Sequence, residues 1–253
     1  MKIIIIGGVA GGATAAARLR RLNEGAEIII FERSGFVSYA NCGLPYYIGG
    51  EIIDKEELTL QNPESFWRRF KIDVRTYHEV IKINPYVKTV SVYDIKSHKT
   101  FEENYDKLIL APGANPVKPN FSAMNSDKVF TLRTVEDAFR IREFIDYNNP
   151  KTAVVIGGGF IGLEMAENLK KRGIDVTIIQ KNNQLLNVID SDMASFIHSK
   201  FRNEGIKLLL GLNVNDIKIN EKQVSISADC INYINADMVI VSIGVVPENT
   251  LAK

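Results

Sequence analysis

Ile3-Ile4-Ile5-Ile6-Gly7-Gly8-Val9-Ala10-Gly11-Gly12-Ala13-Thr14-Ala15-Ala16-Ala17 runs from a β-branched block through a cluster of glycines into an alanine-rich stretch. That order predicts a short strand, a tight turn and a helix over residues 13–22, followed by a second strand from Glu27 to Phe31 that closes on Glu32. About 150 residues later the phrase returns as Ala153 to Ile156, then Gly157, Gly158, Gly159 and Gly162, a helix over 160–172 and a strand from Asp175 to Ile179. Each copy is a βαβ unit of about 30 residues with the spacing of a dinucleotide-binding turn. In such a turn the glycines let backbone N–H groups at a helix start approach a pyrophosphate, where the helix dipole also favours negative charge. One such match could be no more than a tight turn in an ordinary α/β protein. Two, each in strand-to-helix context, predict an α/β fold of two tandem Rossmann-like domains.

The copies differ where specificity is set. Glu32 stands about 20 residues beyond Gly12, where a carboxylate accepts hydrogen bonds from ribose hydroxyls. The second copy carries Gln180 there, followed by Lys181, so nothing repels a 2′-phosphate and a cation is at hand. NADPH is acceptable to such a site without NADH being excluded. Val9 occupies the place of the middle glycine in the first copy.

Composition bounds the rest. The 253 residues are 45% hydrophobic, with 31 Lys+Arg against 30 Asp+Glu and a net charge of +1, so no global field draws nucleic acid or an anionic membrane. No apolar run approaches the ~20 residues of a membrane span, and the apolar start is too short for a signal peptide. Two cysteines make no disulfide scaffold, and the expectation is a cytoplasmic protein with reduced or redox-active thiols. Between the copies, 75–94 alternates as a β-meander turning at Asn84-Pro85, and Tyr105 to Gly113 reads as a buried strand ending in a tight turn. Pro116, Pro119 and Asn120 mark a linker, and helices are expected over 134–147 and 191–203. The expected domains are 1–115, 116–245 and a returning segment 246–253. Two nucleotide modules in tandem suggest a flavin in one and a nicotinamide in the other.

Cys42 lies in Ser38-Tyr39-Ala40-Asn41-Cys42-Gly43-Leu44-Pro45-Tyr46-Tyr47-Ile48-Gly49-Gly50. Asn41 reads as an N-cap and Pro45 as a first-turn residue, placing Cys42 at the first position of a short helix whose dipole would favour the thiolate. The alternative is a small buried cysteine. No second cysteine follows nearby, so a redox cycle at Cys42 uses a mixed disulfide, a persulfide or a sulfenic acid. Thr14, Arg18 and Arg21 fall on one face of the first helix, a pattern suited either to phosphate groups or to water alone; Arg69 and Lys71 could add charge. Cys230 reads as structural, Trp67 with Phe66 and Phe70 as core packing, and His78, His98 and His198 lack metal-ligand spacing.

Gly7 to Gly12, Ser38 to Gly50, Tyr105 to Gly113 and Gly157 to Gly162 together resemble the single-cysteine pyridine nucleotide-disulfide oxidoreductases. Asn41 to Tyr46 is most similar to the coenzyme A-disulfide reductases and the NAD(P)H-dependent polysulfide reductases. The resemblance implies that NAD(P)H reduces FAD, FAD reduces a mixed disulfide on Cys42, and the freed Cys42 thiolate attacks the next disulfide. It implies cofactor contacts at Gly7, Gly8, Val9, Ala10, Gly11, Gly12, Glu32, Arg33, Asn41, Ala111, Gly113, Gly157, Gly159, Phe160, Ile161, Gly162, Glu164, Gln180, Lys181 and Gly244. Phe160 resembles an aromatic gate over the nicotinamide side of the flavin, with Glu164 one turn on; a core aromatic and a solvated charge are the alternatives. Coenzyme A would meet Thr14, Arg18, Arg21, Ser38 and Asn41. NADH oxidases and peroxidases, which cycle through a sulfenic acid, share the architecture. The resemblance also implies a later Gly-Asp segment on the flavin and a C-terminal dimerisation domain. Neither lies in these 253 residues, so the expectation is an incomplete FAD domain, weak flavin retention, and a truncated product or remnant that in the extreme binds nucleotides without turnover.

Overall fold

The computed structural model describes residues 1–220, 223–229 and 231–253, the side chain of Asn232 excepted. Cys230 lies outside the described residues. The chain forms two compact units: Met1–Ala40 with Lys55–Asn115 and Pro247–Lys253, and Asn41–Asp54 with Pro116–Val246.

Elements are numbered along the chain. The first unit opens with β1 (Lys2–Ile6), α1 (Ala10–Leu22) and β2 (Glu27–Glu32). The excursion through the second unit carries α2 (Leu44–Gly49); then follow α3 (Pro63–Phe70), β3 (Asp73–Thr76), β4 (His78–Asn84), β5 (Thr89–Asp94), β6 (Lys99–Asn104) and β7 (Lys107–Leu110). A parallel sheet runs β3-β2-β1-β7, with Ile3, Ile4 and Ile5 opposite Ile28, Ile29 and Ile30. Ile3 and Ile5 pack with Ala13, Ala16 and Phe66, while Ile4 and Ile6 pack with Val80, Val90 and Val92 of the antiparallel β4-β5-β6 layer. A sheet covered on both faces has no polar side, which is why its first strand is an unbroken isoleucine run.

Three expectations change here. α1 starts at Ala10 rather than residue 13, taking Gly11 and Gly12 into the helix. Arg75 belongs to parallel β3, and Tyr77, with φ of 58°, separates it from a meander that occupies β4 to β6. β7 is not a buried strand: it stands at the sheet edge, with Leu110 exposed and Leu108 and Ile109 half-buried.

The chain passes between units through β8 (Ala114–Pro116). The second unit then holds β9 (Val129–Phe130), α4 (Val135–Asn148), β10 (Thr152–Ile156), α5 (Phe160–Lys171), β11 (Asp175–Gln180) and α6 (Ser191–Asn203). After these come β12 (Lys207–Leu210), β13 (Val214–Ile219), β14 (Val224–Ala228), β15 (Ile231–Ala236), β16 (Met238–Val241) and β17 (Val245–Pro247). Its parallel sheet, β12-β11-β10-β16-β9, and its antiparallel layer, β13-β14-β15, reproduce the first unit with one strand added. Thr134 caps α4 in a reciprocal box with Asp137. The duplication reaches further than the glycine phrase. Asp106 accepts the Lys2 N–H at 2.6 Å and Asp237 accepts the Thr152 N–H at 2.9 Å, so one aspartate anchors the start of the first strand in each unit.

Candidate active site

Each glycine turn is built from two kinds of glycine. Gly7 and Gly157 have φ of 97° and 105°, a region that L side chains rarely enter. A Cβ on Gly12 would stand 1.8 Å from the Gly7 carbonyl oxygen, and one on Gly162 would stand 2.0 Å from that of Gly157. These four hold helix against strand. Gly159 is different, since a Cβ there meets nothing within 4 Å. Val9 and Gly159 are the N-caps of α1 and α5, and neither helix start carries a side-chain cap or an acidic residue in its first turn. Donors at both helix starts therefore face open space, as a pyrophosphate requires. In the first unit Ala10 and Gly11 are exposed and Val9 is half-buried, and in the second Ile161 is exposed.

The last residue of the second strand in each unit holds the glycine turn. Buried Glu32 accepts the Gly8 N–H through Oε2 at 2.8 Å and the Ser34 N–H through Oε1 at 2.9 Å. Buried Gln180 accepts the Gly158 N–H through Oε1 at 3.0 Å, while its amide donates to the Gln184 carbonyl. Acid and amide thus hold the same turn, one with charge and one without. The equivalence continues to a pair the sequence does not announce: the Ser38 N–H donates to the Gly8 carbonyl and the Leu186 N–H to that of Gly158, each at 2.9 Å, with φ of 48° and 47°. Serine and leucine share no chemistry, so only the backbone reveals the match. Lys181 is exposed beside the second turn. His198 of α6 accepts the Leu185 N–H on Nε2 at 3.0 Å, and burial, with the nearby Arg202 charge, holds its imidazole below the usual histidine range.

Opposite each turn stands a third strand end. The Ala111 N–H donates to Ile6 and the Ser242 N–H to Ile156, both at 2.8 Å, and Gly113 and Gly244 follow with φ of 77° and 129°. In the first unit, Glu248 accepts from Thr250 and Asn115, and Asn115 is reached by Arg33. The Thr250 hydroxyl and N–H, then Asn115 and Arg33, hold the Glu248 carboxyl down at about 2.

The cysteine segment corrects the sequence reading. Asn41–Gly43 is a single 3-10 turn and Gly43 is the N-cap of α2, so Asn41 does not cap and Cys42 lies just before the helix. Pro45 restricts α2 to starting after the turn, and Pro45 does sit in the first helical turn. Cys42 is exposed, which sets aside the buried alternative. Phe160 is 64% exposed at the start of α5, so it is not a core aromatic; Glu164 is half-buried, its carboxyl pushed up by burial and by Glu167.

Thr14, Arg21 and Ser38 do come together, joined by Gln61, Phe66 and Arg69 around a pocket of about 260 Å³ in the first unit. Arg18, exposed on α1, is outside that lining, and Asn41 belongs to the second unit. Arg20, absent from the sequence reading, donates to the Phe70 and Lys71 carbonyls at 2.7 and 2.8 Å and so fastens the end of α3 beside α1. Trp67 is 55% exposed beneath the Lys71 ammonium rather than in the core, whereas Phe66 is buried against Phe70. Among the described residues no group of His, Cys, Asp or Glu could hold a metal ion, and no helix is long and apolar enough to cross a membrane.

Two parallel sheets, each with a glycine turn at its first strand and a three-stranded layer behind, define a tandem dinucleotide-binding oxidoreductase fold. The family model described as pyridine nucleotide-disulphide oxidoreductase matches residues 1–253, and the chain belongs to that family, whose cofactors are FAD and NAD(P)H. It is 39% identical over 253 residues to the coenzyme A disulfide reductase of Staphylococcus haemolyticus, covering 98% of this chain and 55% of the relative. The crystal structure of reduced Bacillus anthracis CoADR-RHD matches with a TM-score of 0.95 at 45% identity, over 99% of this chain and 45% of that one. An NAD-dependent persulfide reductase from A. fulgidus matches with a TM-score of 0.95 at 33% identity, over 100% of this chain and 47% of that one. The chain thus spans about half the length of the relatives it matches. The residues present fit the cofactors: the uncapped helix starts and the clearance at Gly159 leave room for the phosphates of two dinucleotides.

Proposed function

We propose that this chain carries the nucleotide-binding and thiol half of an NAD(P)H-dependent disulfide reductase acting on coenzyme A disulfide or a related persulfide or polysulfide, in the cytoplasm. The observation that carries the reading is Cys42, exposed in its 3-10 turn within a segment that has no second cysteine. FAD would lie at Gly7 to Gly12 with Glu32, Arg33, Ala111 and Gly113, and NAD(P)H at Gly157 to Gly162 with Gln180, Lys181 and Gly244. Bound flavin supplies two-electron transfer between the pyridine nucleotide and sulfur. The Cys42 thiolate attacks one sulfur of the substrate disulfide, forming a mixed disulfide and releasing the other half as a thiolate. Two electrons delivered to that mixed disulfide release the second thiol and restore Cys42. Arg21 and Arg69 would engage the substrate's phosphates, and Phe160 would cover the nicotinamide.

The test is the visible spectrum of the purified chain with FAD, followed by NAD(P)H consumption with coenzyme A disulfide, polysulfide, peroxide or O₂ offered separately. Flavin bleaching by NAD(P)H is expected in the parent and in Cys42→Ser alike, and thiol release in the parent only. Full disulfide turnover by Cys42→Ser would sink the proposal, and consumption of O₂ or peroxide alone would reassign Cys42 to sulfenic acid chemistry.

A further inference from the structure

Helix α2 ends with carbonyl groups that an isolated helix leaves unpaired. In the second unit the Gly50 N–H donates to the Tyr47 carbonyl at 3.2 Å, and two guanidiniums from different elements add donors around this end. Arg142 of α4 donates to the Tyr47 and Ile52 carbonyls, each at 3.0 Å, and its guanidinium carbon lies 4.3 Å from the Tyr47 ring centre. Arg172, the residue after α5, donates to the Ile48 carbonyl at 3.3 Å. Both arginines engage one carboxylate, that of Asp146, Arg142 through Nε at 3.8 Å and Arg172 through Nη2. A third tie joins Lys171 to Glu51. Behind them α2 sits flush on α5: a Cβ on Gly49 would stand 2.1 Å from Oδ1 of fully buried Asn168, and that oxygen has no hydrogen-bond partner. An unpartnered amide oxygen in the interior is a cost that the close packing of Gly49 on Asn168 must offset.

We infer that Arg142, Arg172 and Asp146 form a clamp that positions the Cys42 turn by gripping the far end of the six-residue helix behind it. Short helices fray without tertiary support, and α2 has no side-chain cap at its start. Its C-terminus is closed by Gly50 in the left-handed region, whose N–H donates to Tyr46 and Tyr47, and the two cations add to that closure and suit the helix dipole. The three are positioning residues, and their importance to catalysis rests on the reading of Cys42 as the nucleophile. The same helix α5 carries Phe160 at its start and meets Arg172 at its end, so the clamp ties the thiol to the element that begins at the pyridine nucleotide turn.

The experiment uses the purified chain, with Arg142→Gln, Arg142→Lys and Arg172→Gln. Hydrogen exchange over residues 44–53 and the rate of Cys42 alkylation by iodoacetamide at fixed pH are the two readouts, with NADPH affinity as a control on the fold. Arg142→Gln and Arg172→Gln are expected to speed exchange about tenfold or more, and to move alkylation about threefold or more toward the rate of the urea-unfolded chain. Arg142→Lys, which keeps a cation on a single donor nitrogen, restores much of both. Unchanged exchange overturns the clamp; faster exchange with unchanged alkylation also overturns it, because the helix end would then be held without consequence for the thiol. Should the glutamine variants not fold, Asp146→Asn removes the shared carboxylate and is expected to act in the same direction, and failure to do so counts against the clamp. Neither readout needs turnover, so a Cys42→Ser enzyme that still reduces disulfides removes the proposed function while leaving this result to stand or fall by itself.

Discussion

Glu32 and Gln180 separate two tasks that a sequence motif merges. The shared task is to accept an N–H from the second glycine, and an amide oxygen performs it as well as a carboxylate. The unshared task is electrostatic. Gln180→Glu, which loses the donor to the Gln184 carbonyl, is expected to lower the urea midpoint while weakening NADPH relative to NADH by roughly tenfold in a fluorescence titration. Equal weakening of both nucleotides would show that the turn, not the charge, had been altered. The glycines divide in the same way. Gly162→Ala forces a Cβ onto the Gly157 carbonyl and should cost about 2–4 kcal/mol in urea unfolding. Gly159→Ala meets nothing in the protein, so its stability should stay within about 1 kcal/mol of the parent while NAD(P)H affinity falls.

At the level of elements, the three arginines of α1 are not one basic face. Arg20 is spent on the end of α3, and Arg21 opens into the pocket beside Arg69. Arg21→Ala should raise the KM for coenzyme A disulfide about tenfold with kcat unchanged, whereas Arg20→Ala should lower stability by about 1–3 kcal/mol. The 181–190 loop has its own support in α6, where His198 accepts a backbone N–H and must be neutral to do so. Its folded-state pKa is depressed, so the unfolded chain binds the extra proton first: the stabilisation is complete above the unfolded value near 6.5 and is lost as pH falls below it. The protection of the Leu185 amide relative to its intrinsic exchange rate should therefore fall on going from pH 7.5 to 5.5, and His198→Asn should flatten that dependence.

Over the whole molecule, the strand, turn and helix of each copy were legible because β-branched runs, glycine clusters and alanine-rich stretches report local backbone needs directly. The antiparallel layers were half legible: alternation located the strands but could not separate β3 from the meander, since Asp73–Thr76 and His78–Asn84 differ only in which sheet they join. The cysteine turn was misread by two residues because Asn41 has the chemistry of a cap, and the preference of an isolated asparagine does not decide where the next helix begins. The Ser38 and Leu186 pair was invisible, being a match of dihedral angles. A signal was available for the anchoring aspartates: Asp106 and Asp237 each precede an apolar strand and a glycine, in Lys107 to Gly113 and Met238 to Gly244.

The parallel sheet of the first unit also sets a timetable. β1 is completed on one side by β2 and on the other by β7, whose residues follow about 100 positions later. At roughly 5–20 residues per second, a ribosome would leave one edge of the four isoleucines unpaired for on the order of 5–20 s. A short, uncharged, β-branched strand with an open edge is the kind of segment that pairs with other chains. The run that makes the nucleotide fold recognisable is thus the part of the nascent protein most in need of shelter, and slower translation between residues 32 and 107 would lengthen its exposure.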